Sequence, residues 1–175
     1  MKDLSLRAGR AHVSAEVPAH GDGLRVMFDA SALVQRYAAE SGHARVLALM
    51  EQADQVLVAA HCLSEVGAAL LRSRREACLA QADFDRAWAA VQRDVADMVR
   101  IPMDDHVERF AFAAMEREPL RVTDALHLGS ALVAHVDLFV TADRRVAQRA
   151  RLLGLPSECL ADEVPTLNEE VMVAP

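Results

Sequence analysis

Three observations predict an α/β fold for this chain. Short apolar runs alternate with stretches of helical periodicity, and four acidic residues stand just past such a run or at the head of the helix that follows one. The length, 175 residues, suits one domain with a full hydrophobic core and is too short for two of ordinary size. The four acids are Asp29, Glu65, Asp124 and Asp143. In sheets built from alternating strands and helices, ligands bind outside the carboxyl ends of the strands, which is where these residues are expected.

The elements follow in order. Residues 1–23 have few apolar side chains and hold Gly9, Pro18, Gly21 and Gly23, so they read as a flexible extension. A single domain is expected over 24–161. It opens with a strand, Leu24 to Phe28, that ends in Asp29 and feeds a helix from Ala30 to Tyr37. Gly42 precedes a second helix, His43 to Gln52, and Val56 to Ala59 reads as the second strand. Long helices are predicted over about 63–75, which includes Glu65, and 80–96, because apolar residues recur there at helical spacing. Met98 to Ile101, stopped by Pro102, is the third strand. Asp104 and Asp105 are suited to cap the helix that carries Val107, Phe110, Phe112 and Met115 and stops near Pro119. A further helix covers Thr123 to Leu132, Leu138 to Thr141 is the fourth strand, and the last helix ends at Gly154. Ser157 to Leu160 is predicted as an edge strand, and 162–175 as a solvated acidic tail.

Composition narrows the function classes. An apolar share of 53% with 26% charged residues describes a globular protein rather than a disordered one. Cys62, Cys78 and Cys159 are odd in number and form no C-x-x-C arrangement, so neither a disulfide framework nor a thiolate zinc site is expected. That usage points to a reducing, cytoplasmic compartment. Lys2, Arg7 and Arg10 precede no continuous apolar core, which argues against a signal peptide, and no apolar run approaches membrane-spanning length. The formal net charge of −7 argues against a surface that grips nucleic acid throughout, but leaves room for a local basic groove. Arg72, Arg74 and Arg75 form one basic cluster, and Arg144, Arg145, Arg149 and Arg151 follow Asp143. Either run also reads as an ordinary solvated helix face.

Carboxylates that converge repel one another unless a hard cation holds them. Mg²⁺ and Mn²⁺ prefer such oxygen ligands, retain several waters and accept a substrate phosphate into the shell. A cation of this kind polarises a phosphodiester and acidifies a bound water, so hydrolysis needs no serine or histidine nucleophile. A nucleotide-binding dehydrogenase is excluded, because the turn Asp29-Ala30-Ser31-Ala32 has no glycine to admit a pyrophosphate. A phosphotransfer or phosphatase domain fits poorly: Lys2 is the only lysine, and Asp29-Ala30-Ser31 lacks the second aspartate such an enzyme would show.

Phe28-Asp29-Ala30-Ser31-Ala32-Leu33, Ser64-Glu65-Val66-Gly67-Ala68-Ala69-Leu70, Asp124-Ala125-Leu126-His127-Leu128 and Phe139-Val140-Thr141-Ala142-Asp143 recur here in a telling order and spacing. Taken together, over about residues 25–160, they resemble the PIN-domain ribonucleases, and more closely the VapC-like toxins of bacterial toxin–antitoxin modules. The resemblance implies a three-layer α/β/α sandwich with a central parallel sheet. It also implies an acidic pocket of Asp29, Glu65, Asp124 and Asp143 that holds one or two Mg²⁺ or Mn²⁺ ions, with the Ser31 and Thr141 hydroxyls orienting carboxylates or coordinated water. The implied activity is endonucleolytic cleavage of RNA, the implied partner a small antitoxin protein, and the implied assembly a homodimer. An RNA-processing nuclease that is not a toxin, and a catalytically silent RNA- or protein-binding module, are the alternatives. Two departures from the family pattern are the long stretch before Leu24 and Arg121-Val122-Thr123 ahead of Asp124; neither alters an acid.

Arg72, Arg74 and Arg75 are the expected contacts to the RNA backbone. His127, one turn after Asp124, reads as a packed or hydrogen-bonded histidine, and the spacing of His61 and Cys62 to other ligands matches no zinc motif. Trp88 and Tyr37 are the only residues of their types, too few for a protein that binds single strands by base stacking.

Overall fold

The structure, a computed structural model, describes residues 23–38 and 41–162. The extension expected over 1–23 and the tail expected over 162–175 lie outside the described residues except for Gly23 and Asp162. The elements run β1 (Arg25–Phe28), α1 (Ala30–Leu33), a 3-10 turn (Val34–Arg36), α2 (His43–Gln52), β2 (Gln55–Ala59), α3 (Cys62–Arg75) and α4 (Gln81–Ala96). They continue through β3 (Val99–Ile101), α5 (Asp105–Arg117), α6 (Val122–Val133), β4 (Leu138–Thr141), α7 (Arg144–Leu152) and β5 (Ser157–Cys159).

All four strand pairings are parallel, and the sheet order is β3-β2-β1-β4-β5. Successive side chains of a strand point to opposite faces, and β1 divides accordingly. Val26 and Phe28 pack with Ala32, Val46, Val66 and Val91 from α1 to α4, whereas Met27 packs with Val107, Leu128 and Val146 from α5 to α7. Helices therefore cover both faces, which makes the three-layer α/β/α sandwich. The chain winds outward from β1 to β3 and then returns to place β4 on the other side of β1. The direction of winding reverses between β1 and β4, and that is the topological switch point where open α/β sheets bind ligands.

Local chemistry explains the element ends. Asp104 caps α5, its Oδ1 accepting from the backbone N–H of His106 and Val107, each at 3.0 Å. Asp105 lies one residue inside the helix, where a carboxylate favours the helix N-terminus without serving as the cap. Gly154 closes α7 with φ of +81°, a left-handed conformation that glycine adopts without strain. α5 and α6 pack as a close pair, and at their crossing a Cβ on Gly129 would stand 2.6 Å from the Val107 carbonyl oxygen.

One expected element differs. The first helix, predicted to continue to Tyr37, is α-helical only to Leu33 and then tightens into the 3-10 turn. After that turn Arg36 Nε meets Asp94 Oδ2 of α4 at 2.7 Å and the Tyr37 hydroxyl donates to the same oxygen at 3.0 Å. A tertiary contact thus coincides with the place where the local helical pattern stops. Burial, with the Asp94 carboxylate, raises the Tyr37 phenol well above its ordinary range. The folded state disfavours phenolate, so this contribution to stability is intact below the unfolded pKa of about 10 and is lost as pH rises further. Tyr37 is the only tyrosine, so ultraviolet titration reads it directly. Phenolate is expected to appear only together with loss of helical circular dichroism, and a titration near the ordinary tyrosine pKa of about 10 with the fold intact would contradict this.

Candidate active site

The strand ends build the site. Asp29 follows β1 directly, and its backbone N–H continues the sheet by donating to Val140 O at 3.0 Å. Only 5% exposed, Asp29 caps α1: its Oδ1 accepts from Ala32 N at 2.8 Å and from Ser31 Oγ at 2.7 Å. Asp143, just past β4, caps α7 through Oδ1, which accepts from Arg145 N at 2.8 Å. Both aspartates keep a second carboxylate oxygen that no cap uses.

Ser31 and Thr141 tie the two strand ends together. Ser31 Oγ accepts from Ala142 N at 2.9 Å while donating to Asp29, and lies 3.2 Å from Thr141 Oγ1. Thr141 Oγ1 in turn accepts from Asp143 N at 3.1 Å. These hydroxyls hold the backbone beneath Asp29 and Asp143 rather than pointing at open solvent, and Thr141 is fully buried.

Glu65 arrives on α3 and Asp124 in the first turn of α6, from the two opposite helical layers. Asp29, Glu65, Asp124 and Asp143 line one cleft of about 170 Å³, with Ser31, Arg121 and His127 among the other walls. Burial, then the charges of Asp29 and Asp143, push the Asp124 carboxyl above its usual value, with Arg121 opposing. That is the signature of like charges gathered in a partly dry space. Glu65 behaves in the opposite way. His127 Nε2 stands 2.6 Å from Glu65 Oε2, and this hydrogen bond holds the Glu65 carboxyl below the usual carboxylate range. Donation to a carboxylate places the ring proton on Nε2.

His127 is thus hydrogen-bonded and buried, as expected for it, and it also forms part of the cleft wall. His61, the N-cap residue of α3, sits 3.6 Å from the same Glu65 oxygen through its Nε2. The two imidazoles lie 4.3 Å apart between centroids at an angle of 47°. Burial, reinforced by the neighbouring His127, lowers the His61 pKa and favours its neutral ring. Helical spacing carried a signal for both: His127 falls three residues after Asp124 and His61 four before Glu65, so each shares a helix face with an acid. Which acid His127 would touch is decided across layers, by α3.

The arginines expected to hold RNA stand apart from the cleft. Arg72, Arg74 and Arg75 occupy the last turn of α3, seven to ten residues beyond Glu65. At 1.5 Å per residue that is roughly 10–15 Å along the helix. Arg74 donates to Gln81 and lies 4.7 Å over the Phe84 ring, and none of the three lines the cleft. Basic side chains at the cleft come instead from Arg121 and Arg145, which line an adjoining hollow of about 240 Å³ with Asp124 and Asp143. Arg149, also there, is held by Glu118 at 2.5 Å.

Fold and cleft together define a doubly wound α/β domain with an acidic site at its topological switch point. The PIN domain family profile matches residues 26–152, and the chain belongs to that family. Ribonuclease VapC45 of Mycobacterium tuberculosis is 32% identical over 138 residues, covering 74% of this chain and 91% of the relative. Among solved structures, VapC20 of Mycobacterium tuberculosis, described as a sarcin-ricin loop cleaving toxin, superposes with a TM-score of 0.55 at 16% identity. That match covers 70% of this chain and 93% of VapC20. A toxin–antitoxin complex from Klebsiella pneumoniae matches with a TM-score of 0.52 at 13% identity, over 70% of this chain and 90% of the matched one. At these identities the two structures speak for the fold. No helix among the described residues is long and apolar enough to cross a membrane.

Proposed function

We propose that this protein is a divalent-cation-dependent endoribonuclease that acts as the toxin of a toxin–antitoxin pair. The observation that carries the reading is the convergence of Asp29, Glu65, Asp124 and Asp143 on one cleft at the switch point of the sheet. The residues suit a hard cation. Burial, and after it the charges of Asp29 and Asp143, raise Asp124, and a cation relieves that repulsion. Asp29, Glu65, Asp124 and Asp143 would hold one or two Mg²⁺ or Mn²⁺ ions. When bound, such an ion supplies Lewis acidity to the phosphodiester and lowers the pKa of the attacking water.

The protein's own groups prepare that chemistry. Ser31 and Thr141 act as positioning residues, locking the strand ends that present Asp29 and Asp143. His127 fixes one Glu65 oxygen and keeps the carboxylate ionised. Arg121 and Arg145, at the mouth of the cleft, are better placed than Arg72, Arg74 and Arg75 to hold RNA phosphates near the acids. An antitoxin partner is supported by the toxin–antitoxin complex among the similar structures, and a homodimer is proposed from the family resemblance.

The test is to sequence RNA ends after incubating total RNA with purified protein and Mg²⁺ or Mn²⁺, beside the Asp124→Asn variant. New ends that require both the cation and Asp124 are expected, and their sequence context names the target. Their absence from a folded, cation-loaded sample free of antitoxin would shift the reading to a binding module.

A further inference from the structure

The geometry points to a second cation site, formed by His61, Glu65 and His127, that takes Zn²⁺ in preference to Mg²⁺ and competes with the acidic set for Glu65. One ligand atom from each residue, two imidazole nitrogens and a carboxylate oxygen, lies within 4.8 Å of the others. Two imidazoles and one carboxylate form a donor set that suits zinc, whereas Mg²⁺ seeks oxygen alone. Ligands about 2.0–2.1 Å from a tetrahedral zinc stand roughly 3.3–3.5 Å from one another. His61 Nε2 and Glu65 Oε2 are already 3.6 Å apart.

Hydrogen bonding alone does not account for the cluster. His127 Nε2 and Glu65 Oε2 pair with each other at 2.6 Å, and the ring nitrogen that His127 leaves without a hydrogen-bond partner is Nδ1, so that pairing does not need His61. Yet His61 Nε2 is buried beside them with no hydrogen-bond partner, an arrangement that costs free energy unless something else binds there. Zinc at Nε2 would take the place of the proton that His127 now shares with Glu65, and that proton would move to Nδ1, leaving a neutral imidazole as the ligand. Three protein ligands leave a fourth position for water or an anion.

The consequence for cleavage rests on the nuclease reading above; the binding does not. Glu65 Oε2 is the oxygen that zinc would take, and the same carboxylate lines the cleft of Asp29, Asp124 and Asp143. Zinc there would compete for the charge of Glu65 and place a second dication beside the acidic set, so zinc is expected to inhibit Mg²⁺-supported cleavage.

The experiment is calorimetric titration of the full chain with Zn²⁺, in the wild type and in His61→Ala, His61→Gln and Asp143→Asn. Wild type is expected to take up one zinc per chain. Both His61 variants should bind it at least ~10-fold more weakly, a lower bound set by what even outer-shell partners of metal-bound histidines contribute. Asp143→Asn should keep zinc binding. Equal affinity in wild type and in both folded His61 variants would overturn the site, as would loss of zinc binding in Asp143→Asn alone. Cleavage assays at fixed Mg²⁺ then read the second half: zinc should inhibit wild type at lower concentrations than His61→Gln. If no variant or wild type cuts RNA under any condition, the nuclease reading fails while the calorimetry still decides the zinc site.

Discussion

The Asp124→Asn variant is expected to lose RNA cleavage by roughly a thousand-fold, the factor that several kcal/mol of metal-assisted stabilisation represents. Asparagine nearly matches aspartate in volume but carries no charge, so it removes a ligand that a hard cation needs. Stability is expected to move the other way. Asp124 is held above its usual carboxyl pKa by burial and by Asp29 and Asp143, so its ionised form is unfavourable in the metal-free fold. Near neutral pH the variant should therefore have a thermal midpoint equal to or above that of the wild type. The Asp29→Asn variant should behave similarly in cleavage and keep its fold, because asparagine caps helices about as well as aspartate. Single-turnover cleavage and thermal melts on the same samples check both halves. A variant that cuts RNA at the normal rate would remove its residue from the site.

The Gly129→Ala variant is expected to lose about 1–3 kcal/mol of stability, the usual cost of overpacking a close contact. Helix propensity alone predicts the opposite, since alanine is favoured over glycine by about 1 kcal/mol inside a helix. Packing decides the sign. A Cβ at 129 would lie 2.6 Å from Val107 O and 3.0 Å from Ala111 N, both backbone atoms of α5 that cannot rotate aside. At Gly67 the corresponding clash is with the Trp88 ring at 3.0 Å, a side chain that can shift, so Gly67→Ala should cost less. Denaturant midpoints of the two variants would test this order. A higher midpoint for Gly129→Ala would mean that α5 and α6 separate easily. Because α6 carries Asp124 and His127, displacing it should also slow cleavage.

The four acids were legible in the sequence because each is tied to a local boundary. Asp29 and Asp143 end strands and cap helices, Asp124 opens a helix, and Glu65 stands in the first turn of one. Such positions follow from apolar runs and capping chemistry, which act over a few neighbouring residues. The same locality explains why α2 and β4 carry the bounds expected of them. It also explains why the Tyr37 end of the first helix did not: Asp94, its partner, lies 57 residues away.

By itself, then, the sequence determined the alternation of strands and helices, the acids at their ends and the family they mark. Only the tertiary structure decided that α3 and α6, packed on opposite faces of the sheet, bring His61, Glu65 and His127 together. It likewise decided that Arg121 and Arg145, rather than the α3 arginines, stand at the cleft. The physical reason is range. Hydrogen bonding and helical periodicity act along the chain, whereas side chains from different layers meet according to strand order and helix packing, which no local pattern encodes.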